Sequence, residues 1–264
     1  HFASVLGEHH LFGQDGEILG VVWDGTGYGD DDHIWGGEFF SYKDSEMKRT
    51  GHFEYFEWLA GDKMAKEPRL SLFSLNNDAN ATFLNDKFSA EEVSIYNSIK
   101  ASNKLKTSSV GRVFDALASL LGFCDMNSYE GEGAILLENA VQNYNPALLK
   151  IYIRPGDDGI VPTSLLWKGI YKDFLEGLDK EEIILNFLFT LANVIIDMAE
   201  LRGFQKIALS GGVFQNTVLV DMIRELSENK FELFFNRNLA PNDENISIGQ
   251  LMYYTHCIDK QTKE

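Results

Sequence analysis

The chain opens HFASVLGEHH, which places three of its six histidines, His1, His9 and His10, within ten residues. Such a cluster can be a metal site, a cut motif or chance, and spacing alone leaves all three open. In VVWDGTGYGDD, Asp24 ends an apolar run and Gly25, Gly27 and Gly29 follow at alternate positions. Missing side chains let a phosphate or acyl phosphate approach the backbone, and the carboxylate can hold a cation or a polarised ligand group. The same residues can also form an acidic hairpin turn with no ligand. IALSGGVFQN repeats the pattern, with Gly211 and Gly212 presenting backbone N–H groups near a helix N-terminus, where anions are favoured. It is neither G-x-G-x-x-G nor a Walker A sequence, so the dinucleotide and P-loop readings fail and a structural turn is the alternative. In GRVFDA, Gly111 and Asp115 are four apart and share a face that is not the apolar one. Asp115 is then either a seat for a ribose hydroxyl pair or a solvated helix residue. Asp243, in APNDENISIGQ, is either part of a helix N-terminal cap or a metal ligand brought in from far along the chain.

Periodicity indicates which elements must position these residues. Residues 2–12 have helical character, EILGVVWD reads as a buried strand, and DGTGYGDDDHIWGGEFFSY as a turn and a returning strand. Short helices with polar loops are expected over residues 63–103. SSVGRVFDALASLLG is the clearest helix: Val110, Val113, Phe114, Leu117, Leu120 and Leu121 share a face, Ser108 or Ser109 caps it and Gly122 ends it. A second helix follows YEGEG, LKIYIR reads as a strand, 180–202 as a long helix and KIALS as a short buried strand. GGVFQN leads into a helix over 217–228, FELFFN is a strand, and 246–257 a closing helix. Strands alternating with helices predict an α/β fold. The clearest seam falls near Asn145–Pro146, so a single uninterrupted sheet is not expected.

With 264 residues the chain can bury a sizeable core in one or two domains. Its formal charge of −17 repels phosphate backbones, which argues against a nucleic-acid partner. Cys124 and Cys257 are the only cysteines, without CxxC spacing, as suits a reducing compartment. No signal peptide opens the chain, and the apolar run IILNFLFTLANVII is shorter than the roughly 20 residues a membrane span needs. The expectation is a soluble cytoplasmic domain with no membrane contact.

HFASVLGEH, WDGTGYGDDDHIWGGEF, SSVGRVFDALASLLG, YEGEGAILLE, SGGVFQN and PNDENISIGQ occur in that order. The set resembles the Kae1-like region of the HypF family of hydrogenase maturation carbamoyltransferases, over nearly the whole chain. The family writes the first motif HHHAHxAS, which makes His1 the last His of that run and reduces a pair of metal-binding histidines four apart to one. His10 stands where the family often has Gly, and Leu188 where many members carry His. The fold implied is α/β and two-lobed, of the actin/Hsp70/sugar-kinase (ASKHA, Kae1-like) type. Lobe I, over 1–145, would be incomplete, lobe II would span 146–264, and the closing helix would return to lobe I. Acylphosphatase, zinc-finger and YrdC-like modules are implied upstream.

The resemblance assigns His1, Asp24 and Asp243 to a divalent metal (iron, zinc or magnesium), with Asp24 and His1 catalytic. It assigns ATP or AMP, as part of carbamoyl adenylate, to a cleft. Gly25, Thr26, Gly27 and Gly29 would face phosphate, and Gly111, Asp115, Glu130, Gly211, Gly212 and Asn216 the nucleoside. The implied reaction moves a carbamoyl group from carbamoyl adenylate, made from carbamoyl phosphate and ATP, to the C-terminal cysteine of a partner, HypE. The product later becomes a cyanide ligand of a nickel–iron centre. The nucleophile belongs to the partner, so neither Cys124 nor Cys257 needs to be catalytic. The alternatives are a tRNA threonylcarbamoyladenosine synthase-like transferase, which the acidic charge disfavours, an antibiotic O-carbamoyltransferase, or a nucleotide-binding docking module without activity.

Overall fold

The computed structural model describes residues 1–259 except 77, 79, 80 and 82. A short helix, α1 (Phe2–Glu8), precedes a meander of β1 (Ile18–Tyr28), β2 (Ile34–Lys43) and β3 (Glu46–Phe53). Next come β4 (Phe56–Glu57), the helices α2 (Lys63–Lys66), α3 (Pro68–Leu75), α4 (Phe83–Lys87) and α5 (Ala90–Ser102), and β5 (Lys106–Thr107). The helices α6 (Val110–Leu120) and α7 (Glu132–Asn139) are followed by β6 (Ile160–Val161), α8 (Thr163–Leu175) and α9 (Lys180–Arg202). The chain ends through β7 (Lys206–Ser210), α10 (Thr217–Ser227), β8 (Glu232–Phe235) and α11 (Ile246–Tyr253).

Among the described residues all eight strands belong to one mixed sheet, with path β4-β5-β2-β1-β7-β8 and with β3 joining β2 to β6. Its centre is β1, antiparallel to β2 (Ile18 opposite Tyr42) and parallel to β7 (Ile18 opposite Lys206). The sheet therefore crosses the expected seam at 145–146 without a break. At that point Asn145 merely caps a single 3-10 turn, Pro146–Leu148, by accepting from the Ala147 N–H.

Alternation along β1 sorts the core onto two faces. Leu19, Val21 and Trp23 join the large cluster with α6 and α9 residues such as Phe114 and Phe187. Ile18 joins the smaller cluster with Phe2, Val5 and Leu6 of α1. Gly20 has no side chain because a Cβ there would stand 2.7 Å from the Phe2 ring. The long helix α9 is capped by Asp179, which accepts from the Glu181 N–H, and closed by Gly203 at φ 75. By length and composition α9 could cross a membrane, but 83% of its most apolar window is buried inside this fold.

Three local expectations need correction. LKIYIR joins no strand ladder, because α9 side chains satisfy its backbone instead. The Lys150 N–H donates to Asn186 Oδ1 and the Tyr152 N–H to Thr190 Oγ1, both at 3.0 Å. The first helix stops at Glu8, and His10 takes φ 55. Gly25 and Gly27 lie inside β1 rather than in a turn; the reversal comes later, over residues 29–33.

Candidate functional site

Asp24 lies near the far end of β1, one residue beyond the register that pairs Val22 with Ser210 of β7 and Trp23 with Gly37 of β2. One carboxylate oxygen, Oδ1, accepts from the N–H of Gly25 at 2.8 Å and of Gly212 at 3.3 Å. The other, Oδ2, faces His1 Nε2 at 3.1 Å, and Asp243 Oδ1 lies 3.6 Å from the same nitrogen. Ligand atoms of the three residues fall within 4.8 Å of one another although they are far apart in sequence.

The ring of His1 is oriented from behind. Asn245 is fully buried, and its Nδ2 donates to Ser210 Oγ, Asn236 Oδ1 and the Ala240 carbonyl. Its Oδ1 is thereby left as the acceptor for His1 Nδ1–H at 3.0 Å, which turns Nε2 towards the carboxylates. Burial disfavours the charged ring, yet the hydrogen bond and charge of Asp24, with help from Asn245 and Asp243, raise the His1 pKa above its ordinary value. Burial likewise opposes ionisation of Asp24, but His1 and the Gly25 and Gly212 N–H groups hold its carboxyl below the usual range. An imidazole nitrogen and two carboxylates converging on one point, with the other imidazole nitrogen anchored, are a donor set that fits a divalent cation. Of the opening histidines only His1 takes part; His9 bonds the Phe235 carbonyl at 2.7 Å and His10 is exposed.

Two adjoining cavities, of about 450 Å³ and 480 Å³, share Asp24, Gly25, Arg112, Glu130, Gly131 and Asp243 as walls. Thr26 lines the smaller; Gly111, Asp115, Gly212 and Asn216 line the larger. Three of the positions expected to bind nucleotide line neither. Gly27 and Gly29 are filled by the neighbouring strand, since a Cβ at Gly27 would touch the Trp35 carbonyl and one at Gly29 the Trp35 indole. Gly211 gives its N–H to the Pro241 carbonyl at 2.8 Å, and at φ 110 it lies where a Cβ would overlap the Trp23 carbonyl oxygen. The missing side chain lets β7 pack closely on β1.

Asp115 is not a solvated acid. It is 2% exposed, lies 3.1 Å from Arg112 Nη2, and burial pushes its carboxyl up to about 6. Asn216 caps α10 through Oδ1, which accepts from the Leu219 N–H at 2.8 Å, and leaves its buried Nδ2 without a partner.

Sequence reasoning missed Arg112, Asn245 and Glu38, and read Ser109 as a helix cap only. Each of the three lies inside a quoted motif, but none has a spacing that marks it. Glu38, 2% exposed, accepts from the N–H of Gly36 (2.6 Å) and Gly37 (2.7 Å) and from Ser108 Oγ (2.5 Å). It thereby fixes the strand that backs Asp24: a Cβ on Gly36 would stand 2.6 Å from the Asp24 carbonyl.

Fold and site define an α/β domain with a cleft at the ends of two central parallel strands. The sequence profile described as "Carbamoyltransferase, Kae1-like Domain, second subdomain" matches residues 20–250, so this chain belongs to the Kae1-like carbamoyltransferase domain family. The carbamoyltransferase HypF of Synechocystis sp. is 32% identical over 281 residues, covering 96% of this chain and 36% of its own length. The probable carbamoyltransferase HypF of Methanocaldococcus jannaschii is 33% identical over 273 residues, covering 96% and 35%. The crystal structure of full-length HypF in the phosphate- and nucleotide-bound form is similar with a TM-score of 0.84 at 30% identity, over 96% of this chain and 41% of that one. The crystal structure of T. kodakarensis HypF gives 0.79 at 26% identity, over 97% and 36%. The chain thus spans little more than a third of the length of these relatives.

Proposed function

We propose that this domain holds carbamoyl adenylate in the paired cavities and passes its carbamoyl group to a cysteine thiolate at the C-terminus of HypE. The observation that carries the reading is the position of Asp24, which faces His1 and Asp243 and forms a wall of both cavities. The names of the HypF relatives, which are carbamoyltransferases, and a relative's phosphate- and nucleotide-bound form support it. The adenylate would be made by YrdC-like, zinc-finger and acylphosphatase modules of a longer protein.

In this reading the nucleoside lies along Gly111, Asp115, Glu130, Gly212 and Asn216, where the free Nδ2 of Asn216 donates to it. The anhydride points to Gly25 and Thr26. A divalent cation held by His1, Asp24 and Asp243 would polarise the acyl oxygen and offset charge on the leaving AMP. The His1–Asn245 bond keeps the imidazole turned towards that position. The nucleophile comes from the partner. Cys257 is buried, and burial pushes the thiol of Cys124, also buried, up and away from thiolate character.

The test is to add synthetic carbamoyl adenylate and HypE to this domain and to follow AMP release and the mass of the HypE C-terminal peptide. The expected result is a carbamoylated cysteine, lost in Asp24→Asn. AMP binding without transfer would point instead to a docking module, and absence of AMP binding would remove the reading.

A further inference from the structure

Arg112 is the feature the proposed site leaves unexplained. Its side chain is 10% exposed, and its Nε and Nη1 have no hydrogen-bond partner. A buried guanidinium with undirected donors is costly unless something accepts from it. Its ion partner does so only in part. Nη2 is 3.1 Å from Asp115 Oδ2, but that oxygen too receives no directed hydrogen bond. Burial pushes the carboxyl of Asp115 up to about 6.

The surroundings say what the missing acceptor is. Arg112 belongs to the wall shared by the two cavities, and among the described residues it is the only cationic side chain lining the larger one. That cavity also carries Asp24, Asp115, Glu130, Glu138, Asp243 and Glu244. An anion entering so acidic a space is repelled everywhere except beside the guanidinium. Room is kept there, since a Cβ on Gly25 would stand 3.3 Å from Arg112 Nη2. The backbone holds the residue in place: the Arg112 N–H donates to Ser109 Oγ at 3.1 Å, at the first turn of α6.

We propose that Arg112 is an oxyanion-binding residue that receives one phosphoryl group of a nucleoside monophosphate ester at the junction of the cavities. The inference rests on the nucleotide reading above and adds to it the group that selects the phosphate. Guanidinium geometry suits a bidentate pair of parallel N–H···O bonds to phosphate oxygens. During transfer the thiolate sulfur forms a bond to the carbamoyl carbon, and the bond from that carbon to the phosphoryl oxygen breaks. Its electron pair stays on the phosphate, which leaves as AMP with one more negative charge. Arg112 lies where that charge develops.

Binding of adenosine and of AMP to the domain tests this, because the two ligands differ only in the phosphate. In wild type AMP should bind about 10- to 100-fold more tightly, as expected for charge-assisted bonds to a desolvated anion. Arg112→Gln should remove that preference while leaving adenosine affinity in place. Arg112→Lys, which keeps the charge and serves if the glutamine variant does not fold, should retain only part of the preference. An AMP preference unchanged in either variant overturns the proposal and makes Arg112 a packing residue. Equal wild-type affinities for adenosine and AMP also overturn it, with the nucleoside site intact. If wild type binds neither ligand, the proposal falls together with the nucleotide reading.

Discussion

The hydroxyl of Ser109 lies 2.9 Å from the carbonyl of Asp24, and so ties the start of α6 to the end of β1. It is also 2.8 Å from the Gly25 carbonyl and accepts from the Arg112 N–H. One small side chain therefore ties the backbone at Asp24 and Gly25 to the backbone at Arg112.

Ser109→Ala should cost about 1 kcal/mol through the lost cap alone. It should also weaken AMP binding, because the two walls of the cleft lose their common anchor. Thermal unfolding and an AMP titration measure the two effects; a lowered melting temperature with unchanged AMP affinity would confine Ser109 to capping.

Asp115 predicts a pH dependence of stability. Its folded pKa of about 6 lies above the ordinary 3.8. As pH rises from about 4, the unfolded chain releases this proton first, so stability is full below that range and falls as pH passes 6. A shift of this size corresponds to about 3 kcal/mol. Asp115→Asn should flatten the decline between pH 4 and 7 in urea titrations, and a slope equal to wild type would rule out Asp115 as the source.

Gly211→Ala should be strongly destabilising, by roughly 3 kcal/mol or more, since φ 110 and the Trp23 carbonyl both exclude a side chain. The loss should appear in unfolding midpoints with or without nucleotide. A variant that keeps its midpoint but loses AMP affinity would return Gly211 to the ligand site.

The two acids facing His1 should contribute unequally to cation binding. The side chain of Asp24 is 19% exposed and fixed by two N–H groups, whereas that of Asp243 is 74% exposed. In calorimetric titrations with zinc or iron(II), Asp24→Asn should abolish binding and Asp243→Asn only weaken it. The reverse order would mean that Asp24 serves the Gly212 turn rather than a metal.

How much of this was legible in the sequence varied with the range of the interaction concerned. The α6 helix could be read because its stripe of Val110, Val113, Phe114 and Leu117 and its Ser109 cap are local signals. LKIYIR was misread because its alternation is real, but its partners are side chains on α9 some forty residues on, where no periodicity records them. The alternate glycines suggested a turn, yet Gly29 is glycine because of Trp35, a packing fact invisible in the chain. Continuity of the sheet across 145–146 depends on β1 pairing with β7, which no local pattern states. The meeting of His1, Asp24 and Asp243 came from family resemblance alone; each residue by itself read equally well as structural. Arg112 carries no signal in the sequence, because an arginine in an amphipathic helix ordinarily points to solvent.

The central place of β1 also has a consequence in time. During synthesis Ile18 and its neighbours can pair with β2 almost at once, but their other edge waits for β7, whose first residue is Lys206. At about 5–20 residues per second that edge stays unpaired for roughly ten to forty seconds. Its sequence, ILGVVW, is apolar and rich in strand formers, the kind of open edge that recruits other chains. A nascent chain of this domain is thus exposed to aggregation until its last quarter is being made. The cleft lined by Gly212 and Asp243 cannot form any earlier than that protection does.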